Sequence, residues 1–511
     1  MSFAEALGLI MLFGMVAVIF IGFPISFTLL FLAFIFGGLG LGWEQTFNLA
    51  YLQIWGTMKD EIFPAVPLFI FMGYMTEQAG LMERLFGALR SLLAPVRGSL
   101  YLAVILTATI FAMATGIVGA AVTVLGIMAA PMMIKAGYDA RLSSGAIAAG
   151  GTLGILIPPS VMLVVMGPTM GVPVNLRYSA ALGPGFLLAG CYIAYTLFRS
   201  FINPKLGPPM TMDERESAHV EMTTEKVGVP VAGLGLFCVM VMAYLVADLL
   251  LSQAGAPRLP VAVGPLDVSA VALAPALLVA FPYFRNAYFR AVVLGVAPLS
   301  ALIAFTLGTI VGGLATPTEA ASCGAFGAAF LALLYGRLGR KAITNAAIGT
   351  MVTSAMVLFL AVASNVFGAV FTKLGTANLI TNYLLAIPLG DWWKLALIMG
   401  IFFVLGWPFE WPVIILVFLP IVLPVIEKLQ LGLGKLDLLI WFGALTAVNM
   451  QTAFLSPPVA MSAYYLRNVV PQWSLATIYK GMADYMVIQV IVLILLLLFP
   501  QIALWLPNMA R

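Results

Sequence analysis

Long apolar runs separated by short polar joints dominate the chain. Segments of helix-compatible length fall near 5–22, 24–42, 63–80, 99–113, 116–134, 143–167 and 179–199. A second set falls near 229–251, 267–285, 292–312, 317–336, 349–372, 393–406, 411–427, 436–466 and 482–506. Runs of roughly 20 apolar residues match the thickness of a bilayer's hydrocarbon core. The pattern therefore predicts an all-α polytopic membrane protein. The longest polar stretch, around 203–228, reads as a loop between two halves.

Overlaying the halves brings markers into register. Pro24 matches Pro317, Gly42 matches Gly336, Gly80 matches Gly375 and Lys135 matches Lys428. The double proline Pro158-Pro159 matches Pro457-Pro458. The markers keep one order at nearly one offset, which is the mark of an internal repeat. This predicts repeat one over 1–202, an insertion with a polar loop and two extra helices over 203–291, and repeat two over 292–511. Two pairs of segments, 99–113 with 116–134 and 393–406 with 411–427, are short and meet at breaks: "ATG" at Ala114–Gly116 and "GWPFE" at Gly406–Glu410. They read as re-entrant hairpins, with two full spans each as the competing reading. Each repeat then has about five spans plus a hairpin. An odd number of spans inverts the second repeat relative to the first. With the N-terminus outside, sixteen Lys and Arg fall in cytoplasmic loops and eight outside, in the sense of the positive-inside rule. Inverted repeats with broken helices point to a secondary transporter.

The breaks carry the candidate chemistry. A proline has no N–H to give the carbonyl four residues back. Pro158 and Pro159 free the carbonyls of Gly154 and Ile155, and Pro457 and Pro458 those of Ala453 and Phe454. Irregular backbone survives at membrane depth only where protein buries it or it lines a cavity. Free carbonyls are hard oxygen ligands suited to an alkali cation. Thr152 and Ser160 flank the first break; Gln451, Thr452 and Ser456 flank the second. The tips add Thr115 and Gly116, and Gly406 with Pro408, so two tips facing two breaks would make two cation sites. The competing reading is a kinked helix whose carbonyls are satisfied by neighbouring Ser or Thr. Glu410 lies at an apolar tip, where an acid is a functional candidate by default; the plain alternative is a solvated side chain. "ATPTEA" at Ala315–Ala320 looks functional but has a local explanation, a T-x-x-E capping box with Pro317 in the first helical position.

Composition sharpens the class. The chain has 511 residues, 63% hydrophobic and 9% charged, far below the charge of a soluble domain. A net charge of +4 in such a chain is a matter of topology, not of nucleic-acid binding. Cys191, Cys238 and Cys323 lie in apolar segments and read as packing residues. Met1–Leu7 has no basic residue, so no cleavable signal peptide is expected. The breaks hold no Ser–His pair and no His/Cys/Asp cluster, so the expectation is a transporter rather than an enzyme.

"PLFIFMG" (Pro67–Gly73), "GGTLGILIPPS" (Gly150–Ser160), "ATPTEA" and "NMQTAFLSPPVA" (Asn449–Ala460) together resemble the large membrane subunit of the tripartite ATP-independent periplasmic (TRAP) transporters. The motifs lie in order and span both repeats. The resemblance implies a sodium-coupled, elevator-type transporter in the bacterial inner membrane, multi-pass with its N-terminus periplasmic. It implies a small four-helix membrane subunit, a periplasmic substrate-binding protein and an organic acid substrate. By motif, sodium ligands carry to Thr115, Gly154, Ile157 and Pro159 for one site, and to Gly406, Gln451 and Thr452 for the other. Ser160, Glu410 and Ser456 would lie near the substrate. The chain departs from the pattern at "ATGIVG", where relatives often carry a polar residue at the position of Ile117. It also departs at "PFEW", where many have Asp for Glu410, and at "QTAFLSPP". With "YYLRNVVP" (Tyr464–Pro471) the last departure resembles a subgroup labelled mannitol/chloroaromatic or 2-oxo-acid carriers. A stand-alone sodium/anion symporter without a binding protein is the alternative.

Overall fold

A computed structural model describes residues 2–116, 118–209, 287–457 and 460–509, apart from the side chains of Thr115 and residues 287–292. Ile117, Pro458 and most of the expected 203–291 insertion lie outside the described residues. All regular structure among the described residues is helical. The first half runs α1 (Phe3–Phe20), α2 (Ile25–Gly40), α3 (Trp43–Lys59), α4 (Ala65–Gln78), α5 (Leu81–Leu93), α6 (Ser99–Thr115), α7 (Val118–Lys135), α8 (Ala140–Leu156), α9 (Val161–Met170) and α10 (Val174–Ile202). The second runs α11 (Ala287–Val311), α12 (Pro317–Leu334), α13 (Arg340–Lys373), α14 (Thr376–Ala386), α15 (Asp391–Leu405), α16 (Trp411–Ile426), α17 (Lys435–Leu455), α18 (Met461–Val469), α19 (Leu475–Leu498) and α20 (Gln501–Met509). Nine helical segments among the described residues are long and apolar enough to cross a membrane. The chain is a multi-pass membrane protein.

The apolar runs located the spanning helices but missed three shorter ones. α3, α5 and α14 are amphipathic and not uniformly apolar. In α5 the buried residues Leu81, Met82, Leu85, Phe86 and Leu89 recur at helical spacing, leaving Glu83 and Arg90 on the polar side. That periodicity is legible, but a search for unbroken apolar stretches passes over it. The run at 143–167 is not one helix: α8 ends at Leu156 and α9 begins at Val161. The run at 436–466 is split in the same way between α17 and α18.

The helices form two packed groups. α2, α3 and α4 pack on α12 and α13 through the pairs α2–α13, α3–α13, α4–α12 and α4–α13, with α11 against α12 and α1 against α2 and α14. In the other group, α8 packs against α6, α7 and α19, and α17 packs against α10, α15 and α19. α8 and α17 are the core of this second group. Every residue of α8 from Leu142 to Leu156 is buried, and α17 is buried over nearly all its length. A helix buried all round must be hydrophobic all round or hide its polar groups. α8 does this with small residues that admit close neighbours, as helices in lipid commonly do.

At the "ATPTEA" segment the local explanation holds. Thr316 caps α12 and accepts from the Glu319 N–H, while the Glu319 carboxylate accepts from the Thr316 N–H at 2.8 Å. One residue counted among the outside charges is not at a surface. Arg177, at the start of α10, is 2% exposed. Its guanidinium donates to the carbonyls of Leu163, at 2.9 Å, and Val172, tying α10 to both ends of α9. Gly167 makes room for it, because a Cβ there would stand 2.6 Å from the guanidinium.

The packing of α8 on α19 can be tested. A Cβ at Gly145 would lie 2.6 Å from the Gly481 carbonyl oxygen and 2.6 Å from the Tyr485 ring. Gly145→Val is expected to destabilise the protein by about 2 kcal/mol, the usual scale of overpacking. Gly56, within α3, has no heavy atom within 4 Å of a would-be Cβ, so Gly56→Ala is expected to hold or gain up to ~1 kcal/mol from helix propensity. Thermal unfolding in detergent compares them. Equal unfolding temperatures for the two variants would contradict this contact.

Candidate functional site

The first break follows from its sequence. The last helical bond of α8 runs from the Ile157 N–H to the Leu153 carbonyl at 2.9 Å. Beyond it stand Pro158 and Pro159, joined by a cis peptide, and neither has an N–H to offer. Helical bonding resumes when the Val164 N–H reaches the Ser160 carbonyl at 3.2 Å. The Gly154 carbonyl thus faces Pro158. The Ile155 carbonyl, opposite Pro159, accepts the Ser160 hydroxyl at 2.5 Å. Gly154, Ile157, Pro159 and Ser160 are all buried. Tyr178 of α10 steadies the far side, its hydroxyl donating to the Ser160 carbonyl at 3.4 Å.

The second break has the same outline with different hydrogen bonding. α17 ends with the Ser456 N–H on the Thr452 carbonyl at 2.9 Å. The Ser456 hydroxyl adds a second bond to the same carbonyl at 2.7 Å. The Thr452 hydroxyl donates back to Asn449 at 2.7 Å. Ser456 therefore does not serve the carbonyls of Ala453 or Phe454. Gln451, Thr452 and Ser456 are buried. Asn449 pins this end of α17 to α15, its amide donating to the Met399 carbonyl at 2.8 Å.

Each helical pair places its tip against one break. α6 and α7 meet at Gly116, whose left-handed backbone (φ +60°) is readily adopted by glycine. A Cβ at Gly116 would lie 3.5 Å from the Val161 nitrogen and 3.6 Å from the Pro159 oxygen. The first tip thus lies against the break between α8 and α9. A Cβ at Gly406, between α15 and α16, would lie 3.0 Å from the Ala453 Cβ, so the second tip sits at the second break. The return helix α16 contains a π-helical turn at Ile414–Phe418, a feature frequent at functional sites.

The structure brings Gly154, Ile157, Pro159 and Ser160 together at the first break, and at the second it sets Ala453, next to Thr452, against Gly406. Gln451 behaves differently. Its side chain turns away to α8, where Gln451 Oε1 lies 3.4 Å from Thr152 Oγ1. Glu410 is half-buried at the second tip, in the neighbourhood of Tyr465. The Tyr465 ring lies against Gly119, three residues beyond the first tip. Sequence reasoning passed over Tyr465, Asn449, Gln489 and Tyr192. Gln489 had a usable signal, one amide in the apolar run "MVIQVIVLILLLL".

A separate cleft of about 500 Å³ opens between α3, α9, α13 and α16, with Gln53, Thr169, Asn365 and Lys373 among its lining. None of the predicted site residues lines it.

Comparison with known proteins agrees with this architecture. A solved structure of the YdaH transporter from Alcanivorax borkumensis superposes with a TM-score of 0.54 at 15% identity, covering 90% of this chain and 89% of that one. The likeness shows the fold alone. The chain is 26% identical over 502 residues to a sialic acid TRAP transporter large permease protein from Vibrio cholerae, covering 98% of both. It is 24% identical to a C4-dicarboxylate TRAP transporter large permease protein from Pseudomonas aeruginosa, covering 89% of this chain and 88% of that one. The family model described as tripartite ATP-independent periplasmic transporter, DctM component, matches residues 12–502. The chain belongs to that family, the large membrane component of the TRAP transporters.

Proposed function

We propose that this chain is the sodium-driven, substrate-translocating subunit of a tripartite uptake system of the bacterial inner membrane. It works with a small four-helix membrane subunit and takes an organic acid from a periplasmic binding protein. The relatives named for sialic acid and C4-dicarboxylates support a carboxylate substrate. Its N-terminus is periplasmic. The observation that carries the reading is the seating of Gly116 on Pro159–Val161 and of Gly406 on Ala453, two tips against two proline breaks.

In this reading Thr115, Gly154, Ile157 and Pro159 hold one sodium, and Gly406 and Thr452 contribute to the other, the Gln451 side chain reaching away to Thr152. The donor set fits: neutral carbonyl and hydroxyl oxygens, with Gly154, Ile157, Pro159, Gly406 and Thr452 buried and no side-chain cation among the described residues of either break. Arg177 is one turn from the first break, but its guanidinium is spent on two carbonyls. Sodium and backbone dipoles therefore neutralise the substrate carboxylate, with Ser160, Ser456 and Glu410 nearby. Bound sodium orders the tips and completes the anion site, linking the cation gradient to substrate affinity through differential binding to two states. The order of elements in 1–202 and 292–511 supports inverted repeats, each with a broken helix and a hairpin. The division into two packed groups, with both breaks in one of them, supports elevator motion of that group against the other.

Uptake into proteoliposomes tests this. Thr115→Ala and Thr452→Ala are each expected to raise the sodium concentration for half-maximal uptake about tenfold, the loss of about 1.4 kcal/mol of cation binding. Unchanged sodium dependence in both would overturn the two-site reading. Uptake of free substrate by this chain alone would favour the stand-alone symporter. Glu410→Gln is expected to raise the substrate KM several-fold while leaving the sodium requirement in place, because Glu410 is the acid at the second tip and is not among the proposed sodium ligands. An unchanged KM would remove Glu410 from the substrate site.

A further inference from the structure

Between the two breaks lies a buried polar node that the proposed function does not use. It is built from Thr152 on α8, Gln451 on α17, Gln489 on α19 and Tyr192 on α10, and each of these residues is fully buried. Thr152 Oγ1 is 2.8 Å from the Ala149 carbonyl, 3.4 Å from Gln451 Oε1 and 3.5 Å from Gln489 Nε2. The Tyr192 hydroxyl is in the neighbourhood of Gln489 and Thr152 without a formed hydrogen bond to either. In this geometry Gln451 Nε2, Gln489 Oε1 and the Tyr192 hydroxyl are buried without partners.

Proton counting resolves most of that deficit. Thr152 has one proton, and the close carbonyl of Ala149 takes it. Toward both glutamines Thr152 is then an acceptor. A half-turn of the Gln451 amide exchanges its nitrogen and oxygen, which are assigned from the network. It places Nε2–H on Thr152 and gives that nitrogen its missing acceptor. The Tyr192 hydroxyl would pair two more orphans by closing on Gln489 Oε1. The result is a connected network across α8, α17 and α19, with Tyr192 of α10 beside it. Such networks are stiff because breaking one member strands another in a low-dielectric interior.

Its position gives it a role. Thr152 lies two residues before Gly154, and Gln451 two residues before Ala453. Resting on the two-site reading above, we propose that Thr152 and Gln451 are positioning residues that couple the cation sites, with Gln489 and Tyr192 holding them in register. A cation drawn onto the first break shifts the last turn of α8, and Thr152 passes the shift through Gln451 to the last turn of α17. Gln451 then serves the second site by where it holds the backbone, not by direct ligation.

Binding of radioactive sodium to the purified full chain, without substrate, tests this. The wild type is expected to bind with a Hill coefficient approaching the number of sites, about 2. Thr152→Val and Gln451→Met should each lower it toward about 1 with the sodium capacity unchanged, and the double variant should be no lower than either. Direct ligation by Gln451 predicts instead that Gln451→Met loses capacity and Thr152→Val changes nothing, which would overturn the proposal. So would a non-cooperative wild type, or unchanged cooperativity in both single variants. Tyr192→Phe removes one hydroxyl while keeping the ring packed on Tyr485 at 5.2 Å. It decides the matter if the glutamine variant does not fold, a normal Hill coefficient counting against the node. Sodium binding that persists without cooperativity defeats this inference alone; absence of any sodium binding defeats the proposed function.

Discussion

A backbone carbonyl in the interior of a membrane protein has no bulk water to turn to, and the described structure is arranged around the places where proline takes its partner away. Leaving such a group unpaired in lipid costs several kcal/mol. A break in a spanning helix is therefore tolerable only deep inside protein. That requirement puts α8 and α17 at the centre of their group, buried on every side. It also calls for small residues along α8, because helices can enclose a column closely only where side chains are short. Gly145, Gly150 and Gly154 face Tyr485 with the Gly481 carbonyl, Ala108 and Ala112 respectively. The hairpin tips complete the enclosure at the breaks themselves.

The matched double prolines conceal a difference. In the first break the serine follows the prolines, and its hydroxyl returns to the Ile155 carbonyl. In the second the serine precedes them, and its hydroxyl goes to Thr452. One break thus closes one of its two released carbonyls by itself. The other leaves this serine's hydroxyl out of the matter. The kink with internal satisfaction and the cation cradle are consequently not exclusive readings. Ile155 follows the first, while Gly154, facing Pro158, remains available for the second. Two sites with unequal self-satisfaction would differ in affinity, a natural starting point for ordered binding.

Much of this was legible in the chain. Pro158-Pro159 and Pro457-Pro458 announced the breaks, "ATG" and "GWPFE" the tips, and T-x-x-E the cap of α12, because each acts through local backbone chemistry. What escaped was set by tertiary context. α3, α5 and α14 were lost among longer apolar runs, since an amphipathic helix has low mean hydropathy even when one face is buried. Arg177 was read as an outside charge, because nothing local reveals that Leu163 and Val172 will accept its protons. Gln451 was read as a ligand of its own break from its neighbours in sequence, whereas its side chain lies against Thr152, 299 residues away.

That last contact bears on why polar residues sit at the heart of so apolar a molecule. Lipid tails are as apolar as leucine, so helices in a membrane gain little from hydrophobic burial against one another and rely on close packing and interhelical hydrogen bonds. Apolar packing between α8 and α17 would hold them together yet allow them to slide. A hydroxyl and an amide fix a register, because a small displacement forfeits the bond. Measured in membranes such bonds are worth only about 1 kcal/mol, too little to define the fold. It is enough to bias two arrangements of the breaks that differ by a similar amount. If the breaks alternate as proposed, a weak, directional link is better suited than a strong one, since a link of many kcal/mol would hold the protein in one arrangement.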